Sequence, residues 1–425
     1  MFNLIKHFKN KELFIALYFL LFIAGFSIDS FNFYNELRIF EVFLLIGLGF
    51  YGLTHKKKYF SKYEFCFFIF ILLGFLCWSN YSYILYEFIL FYLLYKAFFD
   101  LNYNEFLSKL IIWLSFSIFL MFPIAVAEFL VSGVYQNWYP MPWNIRIYNS
   151  YFLVFSIFSV WFYLKEEKFK NIYLFFLFLA FLSILLDGGR SANLAYSIFI
   201  ACICMFNRTA RLKILFTYIA TWLTYFSILF FSSNSASGVR SIARESTSGR
   251  YELWVSAFQC WLQNPLFGCG FYQLDLYSGI IPAHPHNLFI QILTETGLIG
   301  FGFLILVIWN ILKRIKWNFK ENYFVIPALI AVSIDLSFSG IHIYPITQIA
   351  LLWLFVFLLK NPEFQYAASF NQSTHKGSKK SKNFELIVYI LIALAFIYLF
   401  FHTSALSESL PSTPPRFWEY GYRLF

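Results

Sequence analysis

The chain has 425 residues, 32 Lys and Arg against 22 Asp and Glu, and a formal net charge of +10; it is 60% hydrophobic and only 13% charged. A soluble protein of this length would carry roughly twice that charged fraction, which excludes a water-soluble enzyme and leaves no basic domain for nucleic acid. Aromatic residues make up 24%, with 60 Phe and 30 Tyr; Phe is cheap to place in lipid, while Tyr and Trp favour the interface.

The N-terminus is basic from Met1 to Lys11 and then apolar from Leu13 to Phe26. These are the first two regions of a signal peptide, but no small-residue cleavage site follows and many more apolar runs do. The segment reads as an uncleaved first helix. A bilayer crossing needs about 17–25 residues. The apolar runs predict helices near 12–28, 38–53, 63–79, 82–99, 106–131, 149–164, 171–187, 190–207, 212–232, 285–312, 322–340, 344–360 and 384–402. The expected class is all-α: a polytopic integral membrane protein of about thirteen helices, with residues 1–402 as a single transmembrane domain.

Threading these spans from a cytoplasmic N-terminus sorts the basic residues. One side receives 24 of the 32, including all 21 lysines; the other receives Arg38, Arg146, Arg190, Arg240, Arg244, Arg250, Arg416 and Arg423. This follows the positive-inside rule at every loop. The Lys-rich linker 361–383 falls on the cytoplasmic side, and a short Pro-containing tail, 403–425, falls outside. Arginines placed against the bias need a reason, and the guanidinium fork grips phosphate or carboxylate at two points. Arg38, Arg146, Arg416 and Arg423 are read as surface or headgroup-contacting residues.

One external loop is long, from about 232 to 284. After the polar stretch Ser232 to Ser248 it reads Gly249-Arg250-Tyr251-Glu252-Leu253-Trp254, and Trp254, Phe258, Trp261 and Leu262 recur at helical spacing. Pro265 and Gly268 end the pattern. The prediction is an amphipathic helix lying at the interface on its Trp residues. Arg250 lies in its first turn, where a cation costs about 0.3–1 kcal/mol, so either an anion binds there or Arg250 pairs with Glu245 or Glu252. Arg190 follows Asp187-Gly188-Gly189 at the start of the eighth helix and has the same two readings, an anion or an ion pair with Asp187.

The loop ends in Ala283-His284-Pro285-His286-Asn287. Pro285 suits a helix's first turn, which puts His286 at the outer end of the tenth helix, where the imidazole stays neutral and can act as a general base. Interfacial packing, a metal site and a pH sensor are the competing readings. The metal reading is weak, because ligands beyond two His are lacking. Glu295, nine residues on, falls on the opposite face from His286. Asp335 is costly within the eleventh helix and so a functional candidate without an assigned role; Glu87 and Glu128 also have none. Cys66, Cys77, Cys202 and Cys204 lie in apolar runs. Cys260 and Cys269 fall in the external loop, where two free thiols are preferred over a disulfide.

The segments Gly249 to Trp254, Asn264-Pro265-Leu266-Phe267-Gly268-Cys269-Gly270-Phe271, His284 to Gln291 and Glu295-Thr296-Gly297-Leu298-Ile299-Gly300 resemble, in order and spacing, the signature region of the O-antigen ligase and polymerase superfamily. Gly189-Arg190-Ser191 is similar to that family's earlier element at a helix start. The resemblance implies a metal-independent, cofactor-free, inverting glycosyl transfer at the periplasmic face of a bacterial inner membrane. The donor would be a glycan on undecaprenyl pyrophosphate; the acceptor, in ligases, a sugar hydroxyl of the lipid A core. Arg190 and Arg250 would hold the pyrophosphate and stabilise its departing charge, and His286 would take the acceptor's proton. His284 is the lesser candidate for that base. His284 and Asn287 would be substrate contacts; Arg240 and Arg244 match no motif of the family and are read, from their side and charge alone, as further phosphate contacts. Two features depart from the pattern: the short external loop implies that acceptor recognition is reduced or lies elsewhere, and the small tail after the thirteenth helix weakens a protein O-oligosaccharyltransferase reading. An O-antigen or capsule polymerase remains an alternative. A lipid-linked sugar transporter is the non-enzyme alternative, but it should show inverted repeats and broken helices, and neither is visible.

Overall fold

The structure is a computed structural model, described for residues 10–28, 32–55, 62–78, 81–141, 145–232, 249–274, 284–313, 315, 317–318, 322–364, 379–402 and 416–419. These residues form fifteen α-helices: α1 Asn10–Ile23, α2 Phe33–His55, α3 Lys62–Cys77, α4 Tyr81–Asp100, α5 Glu105–Ser115, α6 Phe122–Ser132, α7 Ile145–Lys165, α8 Lys170–Leu186, α9 Arg190–Phe206, α10 Arg208–Phe231, α11 Arg250–Trp261, α12 Leu288–Leu312, α13 Val325–Phe338, α14 Pro345–Lys360 and α15 Lys379–His402.

Local chemistry sets the helix ends. Asn104, Asn207 and Asn287 each cap a helix by accepting a backbone N–H three residues on, from Leu107, Ala210 and Ile290 at 3.0–3.1 Å. Gly133 closes α6 at φ 73°, a backbone state that a Cβ disfavours. The single helix expected over 106–131 is instead α5, a 3-10 stretch Phe116–Met121, and α6. Pro123, next to the join, has no N–H to give the preceding turn, and the tighter 3-10 turn accommodates that loss. The tenth predicted helix starts at Leu288, three residues later than expected, because Asn287 rather than Pro285 begins it.

α7 is the central pillar. It packs against α8, α9, α13 and α14, and 94% of its apolar window is buried. It is hydrophobic all round, as a helix enclosed by others must be. α10, α12 and α15 lie outside and expose large apolar side chains such as Phe216, Phe226, Phe230, Leu306, Trp309, Leu394 and Phe401. Exposing these to water would be unfavourable by about 25 cal/mol per Å², whereas hydrocarbon accepts them. Among the described residues five stretches are long and apolar enough to cross a membrane: Glu105–Ser132, Ile145–Lys165, Ala210–Phe231, Leu288–Leu312 and Asn383–His402. Other apolar helices, α8, α9, α13 and α14 among them, are shorter than that criterion.

Two sets of buried or partly buried charge pairs stand apart in the structure, one built on lysines and one on Arg38 and Arg416. At one end Lys96 pairs with Glu64 at 2.6 Å and Glu385 at 2.5 Å, Lys109 with Glu105 and Glu166, and Lys165 with Glu363. There Lys360 donates to the Leu101 carbonyl at 2.8 Å and Lys11 to that of Asp100 at 3.4 Å. At the other end Arg38 bonds Glu41, Gln348 and the carbonyls of Ile343 and Phe417. Arg416 forks onto both oxygens of Glu295, reaches Glu87 at 3.4 Å, and lies 4.0 Å above the Tyr272 ring. Arg38 and Arg416 are therefore not surface residues; they are 1% and 2% exposed. A buried guanidinium persists only where its donors are met, and these two tie the segment 416–419 into the bundle. Arg423 lies outside the described residues.

Candidate functional site

The site sits at the arginine-bearing end. Gly188 turns the chain at φ 65° and Gly189 caps α9. A Cβ on Gly189 would lie 2.6 Å from Asn149 Nδ2, so glycine is what lets α9 begin directly on α7. Arg190 is the first residue of α9. Its neighbour Ser191 donates to Asp335 of α13, as do Ser150 of α7, at 2.8 Å, and Ser339. The charge of Arg250 acts on the same carboxylate. Asp335 thereby gains a role that its sequence context did not reveal: it joins α7, α9 and α13 and draws the segments of Arg190 and Arg250 to one place.

α11 carries Arg250 as its first residue after Gly249 at φ 72°. Its buried face is Leu253, Ser256, Ala257 and Cys260, packed against α12. The expected apolar face is thus corrected: Phe258 and Leu262 point outward, and half-buried Trp254 donates its indole N–H to the Pro285 carbonyl at 2.9 Å. The packing positions are those with small side chains, which allow the two helix backbones to approach. Cys260 and Cys269 form a disulfide with Cα atoms 5.6 Å apart, which overturns the preference for free thiols. It joins α11 to the Asn264–Gly270 segment. That segment docks on a kink in α12 at Gly297, φ 65°. Cys269, Leu298 and Ile299 exchange backbone bonds of 2.9–3.1 Å across the junction, and a Cβ on Gly268 or Gly297 would meet backbone at 2.3–2.5 Å. Two of the motif segments thus serve each other structurally.

The histidines form the chemical core. His284 is fully buried, and its Nδ1 accepts the backbone N–H of His286 at 3.2 Å. The two rings meet edge to face with centroids 4.2 Å apart, and His342 lies 6.4 Å from His284. His286 is half-buried with φ 53°, an uncommon state for a side chain larger than glycine. Burial, then the cations Arg146 and Arg250, hold its imidazole down to about 3. Burial, His286, His342, Arg416 and Arg146 hold His284 well below the usual range. Burial, Arg416 and His286 bring His342 down to about 3. All are neutral at physiological pH, chiefly through burial rather than the helix dipole expected for His286.

Among the predicted site residues, Arg250, His284 and His286 come together, and Arg190 begins the helix tied to them through Asp335. Asn287 is a helix cap, which fully accounts for its side-chain oxygen. Arg240 and Arg244 lie outside the described residues. Glu295 is not a partner of His286; it holds Arg416 and accepts from Gln291 at 3.3 Å. Arg146, His342 and Arg416 were not foreseen as site residues. For the arginines the signal was already present, since both fell among the eight sorted against the positive-inside bias. His342 lies in a short turn whose only sequence cue is its topological side.

The architecture defines an all-helical protein with membrane-crossing helices and a polar site of arginines and neutral histidines at one end. Residues 174–305 match the family model described as O-antigen ligase. Over that range the chain is similar to the O-antigen ligase family, which is of a glycosyltransferase-like ligase or polymerase type. No curated protein matches the chain. The matched range contains Arg190, Arg250, His284 and His286 and leaves Arg146, His342 and Arg416 outside it.

Proposed function

We propose that this chain is a glycosyltransferase that moves a glycan from undecaprenyl pyrophosphate to a sugar hydroxyl of the lipid A core, inverting the anomeric centre without a metal. It works at the periplasmic face of the bacterial inner membrane, with about thirteen spans and a cytoplasmic N-terminus. The observation that carries this reading is the convergence of Arg250 and Arg146 on the neutral His286. A disulfide in the Arg250 segment fits an oxidising compartment, and the lysine-bearing end fits the cytoplasmic side.

In this reading Arg250 and Arg190 grip the donor's diphosphate, with Arg146 beside them. The acceptor oxygen loses its proton to an imidazole, His286 being the one that the motif nominates. It attacks the anomeric carbon as the bond to the diphosphate breaks, and the leaving diphosphate keeps the electron pair, its charge stabilised by the guanidinium groups. Two cations beside His286 weaken it as a base while the donor is absent. A bound diphosphate offsets them, so base strength rises only in the loaded site.

The test is glycan transfer in complemented deletion cells. Arg250→Ala and His286→Ala should each abolish transfer while membrane abundance, followed by immunoblot, stays near normal. Normal transfer by Arg250→Ala would overturn the reading. The deletion itself identifies the acceptor: polymer left on the lipid carrier indicates a ligase, and a core bearing one repeat unit indicates a polymerase. Loss of glycoprotein with intact lipopolysaccharide indicates protein transfer.

A further inference from the structure

His286 holds a backbone state, φ 53°, that a side chain larger than glycine seldom adopts. Such a state persists only where the surroundings fix it. The fixing contacts converge on one peptide unit, the Pro285 carbonyl and the His286 N–H. The Trp254 indole donates to the carbonyl at 2.9 Å, and His284 Nδ1 accepts the N–H at 3.2 Å. Turning this peptide over, carbonyl for N–H, would break both bonds and return His286 to a negative φ; type I and type II turns differ by the same flip. Both clamping groups are themselves held. The His284 ring is fully buried, and its Cε1 stands 3.2 Å from where a Cβ on Gly340 would lie. Trp254 is half-buried, with its ring centroid 6.1 Å from that of Phe338. The other side of His286 is fixed as well: the Asn287 side chain caps Ile290, and its carbonyl accepts the Gln291 N–H at 2.9 Å.

Trp254 lies four residues after Arg250 on α11, one turn along and about 40° round the helix. One helix therefore carries both the guanidinium whose charge acts on His286 and the indole that fixes the backbone of His286. That helix is secured on α12 by other means: the Cys260–Cys269 disulfide at its far end, and the Thr294 hydroxyl, which donates to the Ala257 carbonyl at 3.4 Å. The Trp254 bond is thus not needed to hold α11 in place, and its particular effect falls on the 285–286 peptide.

We propose that Trp254 and His284 are positioning residues that clamp the 285–286 peptide and so aim the His286 imidazole at the acceptor's hydroxyl, beside the diphosphate gripped by Arg250. The inference rests on the glycosyl-transfer reading and leaves the proton with His286. His284 acts through the bond at its Nδ1, and Trp254 through its indole N–H; neither touches the substrate. A misplacement of about 1 Å at a reacting group can cost about 100-fold in rate. Losing the clamp therefore leaves donor and acceptor bound and slows the step between them.

The test uses the full chain purified into lipid, with lipid-linked glycan from the deletion strain as donor and that strain's lipopolysaccharide as acceptor. Trp254→Phe keeps an aromatic ring and loses the N–H. It should lower kcat about 10- to 100-fold and leave the KM of donor and acceptor within about threefold, the pattern of an interaction that serves only the transition state. A donor KM that rises as far as kcat falls would mean that Trp254 merely seats α11, and would overturn the clamp. His284→Asn keeps an acceptor atom near the place of Nδ1, and should recover most of the transfer that His284→Leu loses. Equal transfer by these two variants would remove His284 from the clamp. Wild-type kinetics in Trp254→Phe, beside inactive Arg250→Ala and His286→Ala, would sink the clamp and leave the transferase reading standing. If Arg250→Ala and His286→Ala transfer normally, the transferase reading fails first.

Discussion

The two ends of the bundle use charge differently. At the lysine end, Lys96, Lys109 and Lys165 meet carboxylates, while Lys11 and Lys360 meet the carbonyls around the end of α4. These are point charges closing helices, with loops at hand to supply their counter-charges. At the arginine end Arg38 and Arg416 are likewise consumed by carboxylates and carbonyls, but Arg146, Arg190 and Arg250 are half-buried, and two of them act on a neutral imidazole. A cation held beside a neutral base is unfavourable for fold stability and useful for holding a transferring anion. The difference separates arginines locked in carboxylate and carbonyl contacts from those proposed to hold a diphosphate.

The comparison can be tested in descending order of effect. Arg250→Lys should lose at least about 100-fold of glycan transfer in complemented cells, because an ammonium lacks the two-point grip; wild-type transfer would reduce Arg250 to a simple charge and erase the contrast with the lysine end. Arg416→Ala should destabilise by about 3–5 kcal/mol, since it leaves Glu295 buried without its counter-ion. Thermal unfolding in detergent would show this, and the double change with Glu295→Leu should recover part of the loss. Gly297→Ala should cost about 1–3 kcal/mol through its positive φ and more through contact with the Leu266 carbonyl. Faster proteolysis within the Asn264–Gly270 segment would report the undocking. Lys109→Ala should cost at most about 1 kcal/mol, because its ion pairs are partly exposed; a larger drop in the unfolding temperature would mean that the lysine end is also cooperative.

Much of this was legible in the chain. Apolar runs locate the helices, because a segment buried in lipid or protein must be apolar along its length. The Lys and Arg sorting rests on the expected spans and singled out the arginines of the candidate site. Less legible was anything that depends on which face of a helix finds a partner. On α11 the Trp and Phe spacing suggested the packing face, yet the smaller residues Leu253, Ser256, Ala257 and Cys260 pack against α12 and the larger aromatics do not. Small side chains permit close approach, and hydropathy does not measure that. The Cys260–Cys269 bond was similarly hidden, since nine residues of separation do not reveal that Gly268 folds the chain back onto α12.

By itself the sequence determined the all-helical membrane class, the approximate helix positions and the choice of Arg190, Arg250 and His286 as candidates, because each rests on local composition or a contiguous motif. Only the tertiary structure decided that Arg416 is a buried lock on Glu295, that Asp335 gathers three helix ends, and that His342 stands beside His284. Those pairings join residues from about fifty to more than a hundred positions apart. Their energies depend on burial and on which polar atoms find partners, and neither exists before the chain is packed.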